Sequence, residues 1–61
     1  MKQQHSVQVL TRRHAGGWRW QVMDAEFQVQ LGWEKLQARA REAGQKVKQD
    51  YLRRLQPEGG V

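Results

Sequence analysis

Sixty-one residues allow one domain at most, and a chain this short buries only ~60% of the surface its unfolded form exposes. With no cysteine it has neither a disulfide framework nor a thiolate metal site, and no apolar run approaches the ~20 residues of a membrane span. Eleven Lys and Arg against six Asp and Glu give a net charge of +5, a balance that suits nucleic acid, an acidic protein surface or plain solubility. The charge is unevenly placed. Lys2, Arg12, Arg13 and Arg19 come first without an acid, then Asp24, Glu26 and Glu34 without a base. A second basic block runs from Lys35 to Arg54, diluted by Glu42 and Asp50. No apolar signal core follows Met1–Ser6, so the expected location is cytoplasmic.

Residues 1–4 and 57–61 read as flexible ends of a single domain spanning 1–61. From His5 to Arg13 the pattern has period two. Val7, Val9 and Thr11 share one side, and Ser6, Gln8, Leu10 and Arg12 the other. His14-Ala15-Gly16-Gly17 is a turn of hairpin length. A second strand follows from Trp18 to Met23, with Trp18, Trp20 and Val22 on one face and Arg19, Gln21 and Met23 on the reverse. Pairing the two strands gathers Val7, Val9, Trp18, Trp20 and Val22 on one apolar surface.

Asp24–Trp33 admits two readings. As a third strand after a Met23-Asp24-Ala25 turn, it aligns Phe27, Val29, Leu31 and Trp33 on one side. Glu26, Gln28, Gln30 and Gly32 then take the other. As a helix, it extends the next element into a rod from Asp24 to Leu55 and suggests a coiled-coil dimer. The rod strands Phe27 and Leu31 on the wrong side, at roughly 1.5–3 kcal/mol each. It also places Gly32 in mid-helix, at about 1 kcal/mol. The strand is therefore favoured.

From Trp33 or Glu34 to Leu55 a helix is expected, because Leu36, Ala40, Ala43, Val47, Tyr51 and Leu55 recur at three- and four-residue spacing. Glu34 near its start and Arg53-Arg54 near its end suit the helix dipole. Pro57 and Gly59-Gly60 terminate it. Gly44 would allow a close approach to the sheet. Tyr51 and Leu55 are expected to overrun the sheet edge and offer a surface to a second copy.

The fold class is then α+β: an N-terminal antiparallel hairpin or three-stranded sheet packed on one C-terminal helix. The expected core is Val7, Val9, Trp18, Trp20, Val22, Phe27, Val29, Leu31, Leu36, Ala40, Ala43 and Val47. Trp33 is the tryptophan expected to be partly exposed. The open sheet face would carry Gln8, Leu10, Arg12, Arg19, Gln21, Met23, Gln28 and Gln30. Arg and Gln pair bidentately with guanine and adenine edges in the major groove, and basic residues such as Lys46 hold phosphates. Exposed tryptophans stack on unpaired bases, but alternation with Arg19 and Gln21 assigns Trp18 and Trp20 to the core. His5 and His14 are too isolated for a metal site, and no nucleophile, base and orienting acid stand at usable spacing. The expectation is no enzyme and no cofactor.

Arg12-Arg13, then Gly17-Trp18-Arg19, then a strand near Glu26–Leu31 and a helix after it resemble the small N-terminal DNA-binding domains of phage-type tyrosine recombinases. The likeness covers residues 7–43. It implies a three-stranded sheet lying in the major groove with a helix packed behind. By that resemblance Arg12, Arg19 and Gln21 face the groove and Arg13 lies near phosphate. No catalytic domain accompanies it here, so recombinase activity is not expected. The functional expectation is a small non-enzymatic DNA-binding or regulatory accessory protein of phage or plasmid type, a homodimer being one possible form. The alternative is a protein-binding module or inhibitor that docks on a larger protein by a sheet edge or the helix.

Overall fold

A computed structural model describes residues 6–55. The expectations for the two chain ends, for His5 and for the Pro57 and Gly59-Gly60 stop signals lie outside those residues. Three strands, β1 (Val7–His14), β2 (Gly17–Asp24) and β3 (Phe27–Glu34), precede a single helix, α1 (Gln37–Leu55). The strands form one antiparallel sheet in the order β1-β2-β3. Residues 27–34 are thus extended, and the rod from Asp24 to Leu55 does not form.

The first hairpin turns on Ala15-Gly16, with φ of 50° and 77°. Positive φ at both central positions marks a type I′ turn, whose twist matches that of the strands it joins. Ala15 pays for this with left-handed backbone, at roughly 1 kcal/mol. The second turn is Ala25-Glu26, again with a positive φ, 56°, at Ala25. The Ala25 N–H donates to the Ser6 carbonyl at 3.0 Å, so this turn is also tied to the start of β1.

Registration against β2 decides which residues meet the helix. Val9 pairs with Val22, Thr11 with Trp20 and Arg13 with Trp18, which keeps the expected faces for β1 and β2. In β3 the register shifts beside Val22/Met23. Met23 pairs with Gln28 but Val22 with Gln30, so Val29 is an extra residue. A bulge of one residue inverts everything beyond it, because strand side chains alternate with period two. From Gln30 onward the faces exchange. Gln30, Gly32 and Glu34 share the helix side with Val22, Trp20 and Trp18, while Leu31 and Trp33 pair with Gln21 and Arg19 on the open side.

This corrects the expected core. Leu31 is 45% exposed; Trp33, at 48%, is partly exposed as expected, but on the open side rather than with Phe27 and Val29. Phe27 stays on the helix side opposite Asp24 yet is 64% exposed. It opens an edge strand, so the sheet covers it from one flank only. Leu36 is 59% exposed, because β3 runs on to Glu34 and the helix begins only at Gln37. Leu36 contributes its carbonyl, which accepts the Ala40 N–H at 3.0 Å, but no capping side chain. Glu34 likewise lies in β3, and the first helical turn holds no acid. Arg53 and Arg54 do occupy the last turn, where cations suit the dipole.

The core is small: Trp20, Val22 and Ala40 are buried, with Val7, Val9, Trp18, Val29, Ala43 and Val47 packed around them. Two glycines make room for it. At Gly32 a Cβ would stand inside the Trp20 indole, so the ring lies directly on the β3 backbone. At Gly44 a Cβ would stand 2.5 Å from Val9 Cγ1, so the helix rests close on β1. Burying a Trp removes about 150–250 Å² from water, worth roughly 4–6 kcal/mol at ~25 cal/mol/Å². That exceeds the cost of leaving the buried Trp20 Nε1–H without a partner, about 1–3 kcal/mol. Tyr51 does not overrun the sheet. Its hydroxyl donates to Asp24 Oδ2 at 2.6 Å and fastens the C-terminal half of α1 to the end of β2. Accepting that hydrogen bond favours the neutral phenol, so the Asp24 carboxylate raises the Tyr51 pKa above its usual 10.0.

Candidate nucleic-acid interface

The face of the sheet turned away from α1 is open. Strand pairing orders it as a grid of three rows across β1, β2 and β3. Gln8, Met23 and Gln28 form the first row, Leu10, Gln21 and Leu31 the second, and Arg12, Arg19 and Trp33 the third. Neighbouring strands lie ~4.8 Å apart, so each row is about 10 Å wide, close to the ~12 Å of a DNA major groove. No Asp or Glu occurs among these nine positions. Leu10, Leu31 and Trp33 add apolar surface, which is 46%, 45% and 48% exposed.

Several of these side chains are held in place. Gln21 Nε2 donates to Gln28 Oε1 at 2.9 Å and contacts Met23 Sδ at 3.3 Å. That aligns two amides along the β2–β3 seam. Arg19 Nη2 lies 3.1 Å from His14 Nε2, which draws the guanidinium toward the hairpin end. A shallow cleft of about 240 Å³ lies among Leu10, Thr11, Arg12, Arg19 and Gln21. Arg12, Arg19 and Gln21, which the resemblance expects to face a groove, therefore surround one depression, and Gln8 stands two positions from Leu10 along the same face of β1.

The other two expected contacts lie elsewhere. Arg13 pairs with Trp18 on the helix side, its guanidinium carbon 5.7 Å from the indole centroid. Stacking of this kind at an exposed site contributes about 0.5–1 kcal/mol and turns Arg13 away from Arg12. Lys46 is on α1, beside Glu34, Arg39 and Glu42. The sheet thus stands between Lys46 and the open face. Gln30, expected on that face, is turned to the helix side by the bulge.

Sequence reasoning missed Leu31 and Trp33 as members of the face. The signal that could have found them is Gly32. A bulky indole at Trp20 needs a neighbour without a side chain, and only the register with Gly32 opposite Trp20 supplies one. Among the described residues, no group of three or more His, Asp or Glu comes together as a cation site. No helix among them is long and apolar enough to cross a membrane. Compared with known proteins, the chain matches no family model, no curated protein and no solved structure.

Proposed function

We propose that this chain is a small non-enzymatic DNA-binding accessory protein that reads duplex DNA with the open face of its sheet. The observation that carries the reading is the grid itself. Arg12, Arg19, Gln8, Gln21 and Gln28 share one surface without a carboxylate, at a width suited to the major groove. Arg and Gln are the side chains whose paired donors and acceptors match guanine and adenine edges there. The resemblance to the N-terminal domains of phage-type tyrosine recombinases supports the same placement, with the helix behind the sheet. The net charge of +5 supplies the long-range attraction to phosphate.

Fluorescence anisotropy with labelled duplexes tests it. Binding weakens steeply as salt rises, and Arg19→Ala lowers affinity for the preferred site by roughly 5- to 150-fold. Lys46→Ala, on the far side of the sheet, reduces the salt slope by about one at most. An absence of salt-dependent binding to any DNA ends this reading. A second reading, docking on a larger protein, is favoured by the outer edges of β1 and β3, each of which has a sheet neighbour on one side only. An added strand suits such an edge. One stoichiometric protein that co-purifies and survives nuclease treatment would favour it over DNA.

A further inference from the structure

Trp33 has the setting of a stacking platform rather than of a stray surface residue. Its indole lies over Gly17, where a Cβ would run into the six-membered ring. Its Nε1–H donates to the His14 carbonyl at 2.9 Å, so the ring reaches from β3 across β2 to the end of β1. One edge is thus fixed and the underside is covered by a buried glycine, yet the residue remains 48% exposed. An indole with its polar atom already satisfied presents the solvent with a flat apolar surface. Immobilising the ring in advance removes much of the ordering cost of stacking on it. Arg19 is its direct partner across β2–β3, and Arg12 follows in the same row. Arg19 is itself drawn to the hairpin end by His14. Aromatic surface beside two guanidiniums, with no acid in the row, is the pairing of features that proteins use for unpaired nucleotides.

We propose that Trp33, Arg19 and Arg12 form a subsite for an unpaired nucleotide. The base stacks on the exposed indole, and its phosphates lie over Arg19 and, one strand further, Arg12. This rests on and deepens the DNA-binding reading: the preferred substrate is duplex with a single-stranded extension or an opened end, on which Arg12 and Arg19 meet the phosphates of the extension instead of the base edges they face on a continuous duplex. The Gln8, Gln21 and Gln28 rows take the paired part and the hairpin end takes the free base.

The test compares three ligands of one duplex sequence at fixed salt: blunt-ended, with a three-nucleotide overhang, and with the same overhang made of abasic sites. The expected result for the natural chain is roughly 5- to 150-fold tighter binding of the overhang than of the blunt duplex, with most of that gain lost when the overhang is abasic. Trp33→Leu, checked for folding by circular dichroism, erases the gain, so that overhang and blunt duplex bind alike whatever the change in blunt-duplex affinity. Equal binding of blunt and overhang DNA by the natural chain overturns the proposal. So does an abasic overhang that keeps the full gain, since charge alone then explains it. Binding of the overhang ligand without any binding of blunt duplex supports the subsite and removes the groove reading. The comparison on the natural chain decides the matter even if Trp33→Leu fails to fold.

Discussion

Gly32→Ala isolates the contact on which the sheet register depends. The added methyl falls within the Trp20 indole, and Trp20 is 6% exposed and hemmed in by Val22 and Ala40. The ring is rigid and cannot fold aside as a flexible side chain could. Forcing a methyl into such a core costs about 1–3 kcal/mol. Against this, replacing Gly by Ala restricts the unfolded chain and contributes about 0.4–1 kcal/mol of stability. Overpacking wins, leaving a net loss of about 1–2 kcal/mol. For a domain of this size each kcal/mol moves the melting temperature by about 4–8 °C, so a fall of roughly 4–16 °C is expected by circular dichroism. The partner is identified by a double-mutant cycle: in a Trp20→Phe background the smaller ring vacates part of the space, and Gly32→Ala should cost less. A Gly32→Ala protein that melts at the original temperature or above would refute the packing of Trp20 on β3, and with it the exchange of faces beyond Val29.

Four further outcomes are expected. Ala15→Asn relieves left-handed strain in the first hairpin and creates the Asn-Gly pair favoured in type I′ turns, so it should raise the melting temperature by several degrees, on the order of 0.5–1 kcal/mol. Val22→Ala removes a fully buried side chain and should cost about 2 kcal/mol in urea denaturation. Tyr51 is the only tyrosine, so ultraviolet titration at the phenolate band reads it directly, and Asp24 should hold its ionisation above pH 10. Because its pKa is higher folded than unfolded, the stability it adds is complete below pH 10 and is lost as pH rises through the folded value. Tyr51→Phe should abolish that alkaline loss and lower the melting temperature at pH 7. Gly17→Ala meets both the Trp33 ring and, at 2.8 Å, the Glu34 carbonyl oxygen; the half-exposed ring can swing outward but the β3 backbone must shift, so stability should fall by about 1–3 kcal/mol, while any gain from single-stranded overhangs disappears.

Much of the fold was legible because one signal was repeated. Val7, Val9 and Trp18, Trp20, Val22 alternate without interruption, and Ala40, Ala43 and Val47 recur at helical spacing. Each pattern has a single sensible burial, and two strands and a helix follow. The Arg12, Arg19, Gln21 and Gln8 face was legible as the polar complement of that alternation. Arg13 was already on the other parity of β1, and the structure shows what holds it there, the indole of Trp18.

Local periodicity thus determined two strands, the helix and the inward faces of β1 and β2, and favoured the third strand over a longer helix. Only the tertiary structure decided where Leu31 and Trp33 go. Phe27, Val29, Leu31 and Trp33 look like one stripe, but a strand's parity holds only as far as its hydrogen-bond ladder is regular. The extra residue at Val29 breaks the ladder, and the requirement for a glycine beneath the Trp20 indole selects the broken register. Leu31 and Trp33 are thereby turned to the open face, because the Trp20 indole fills the space over Gly32 on the helix side.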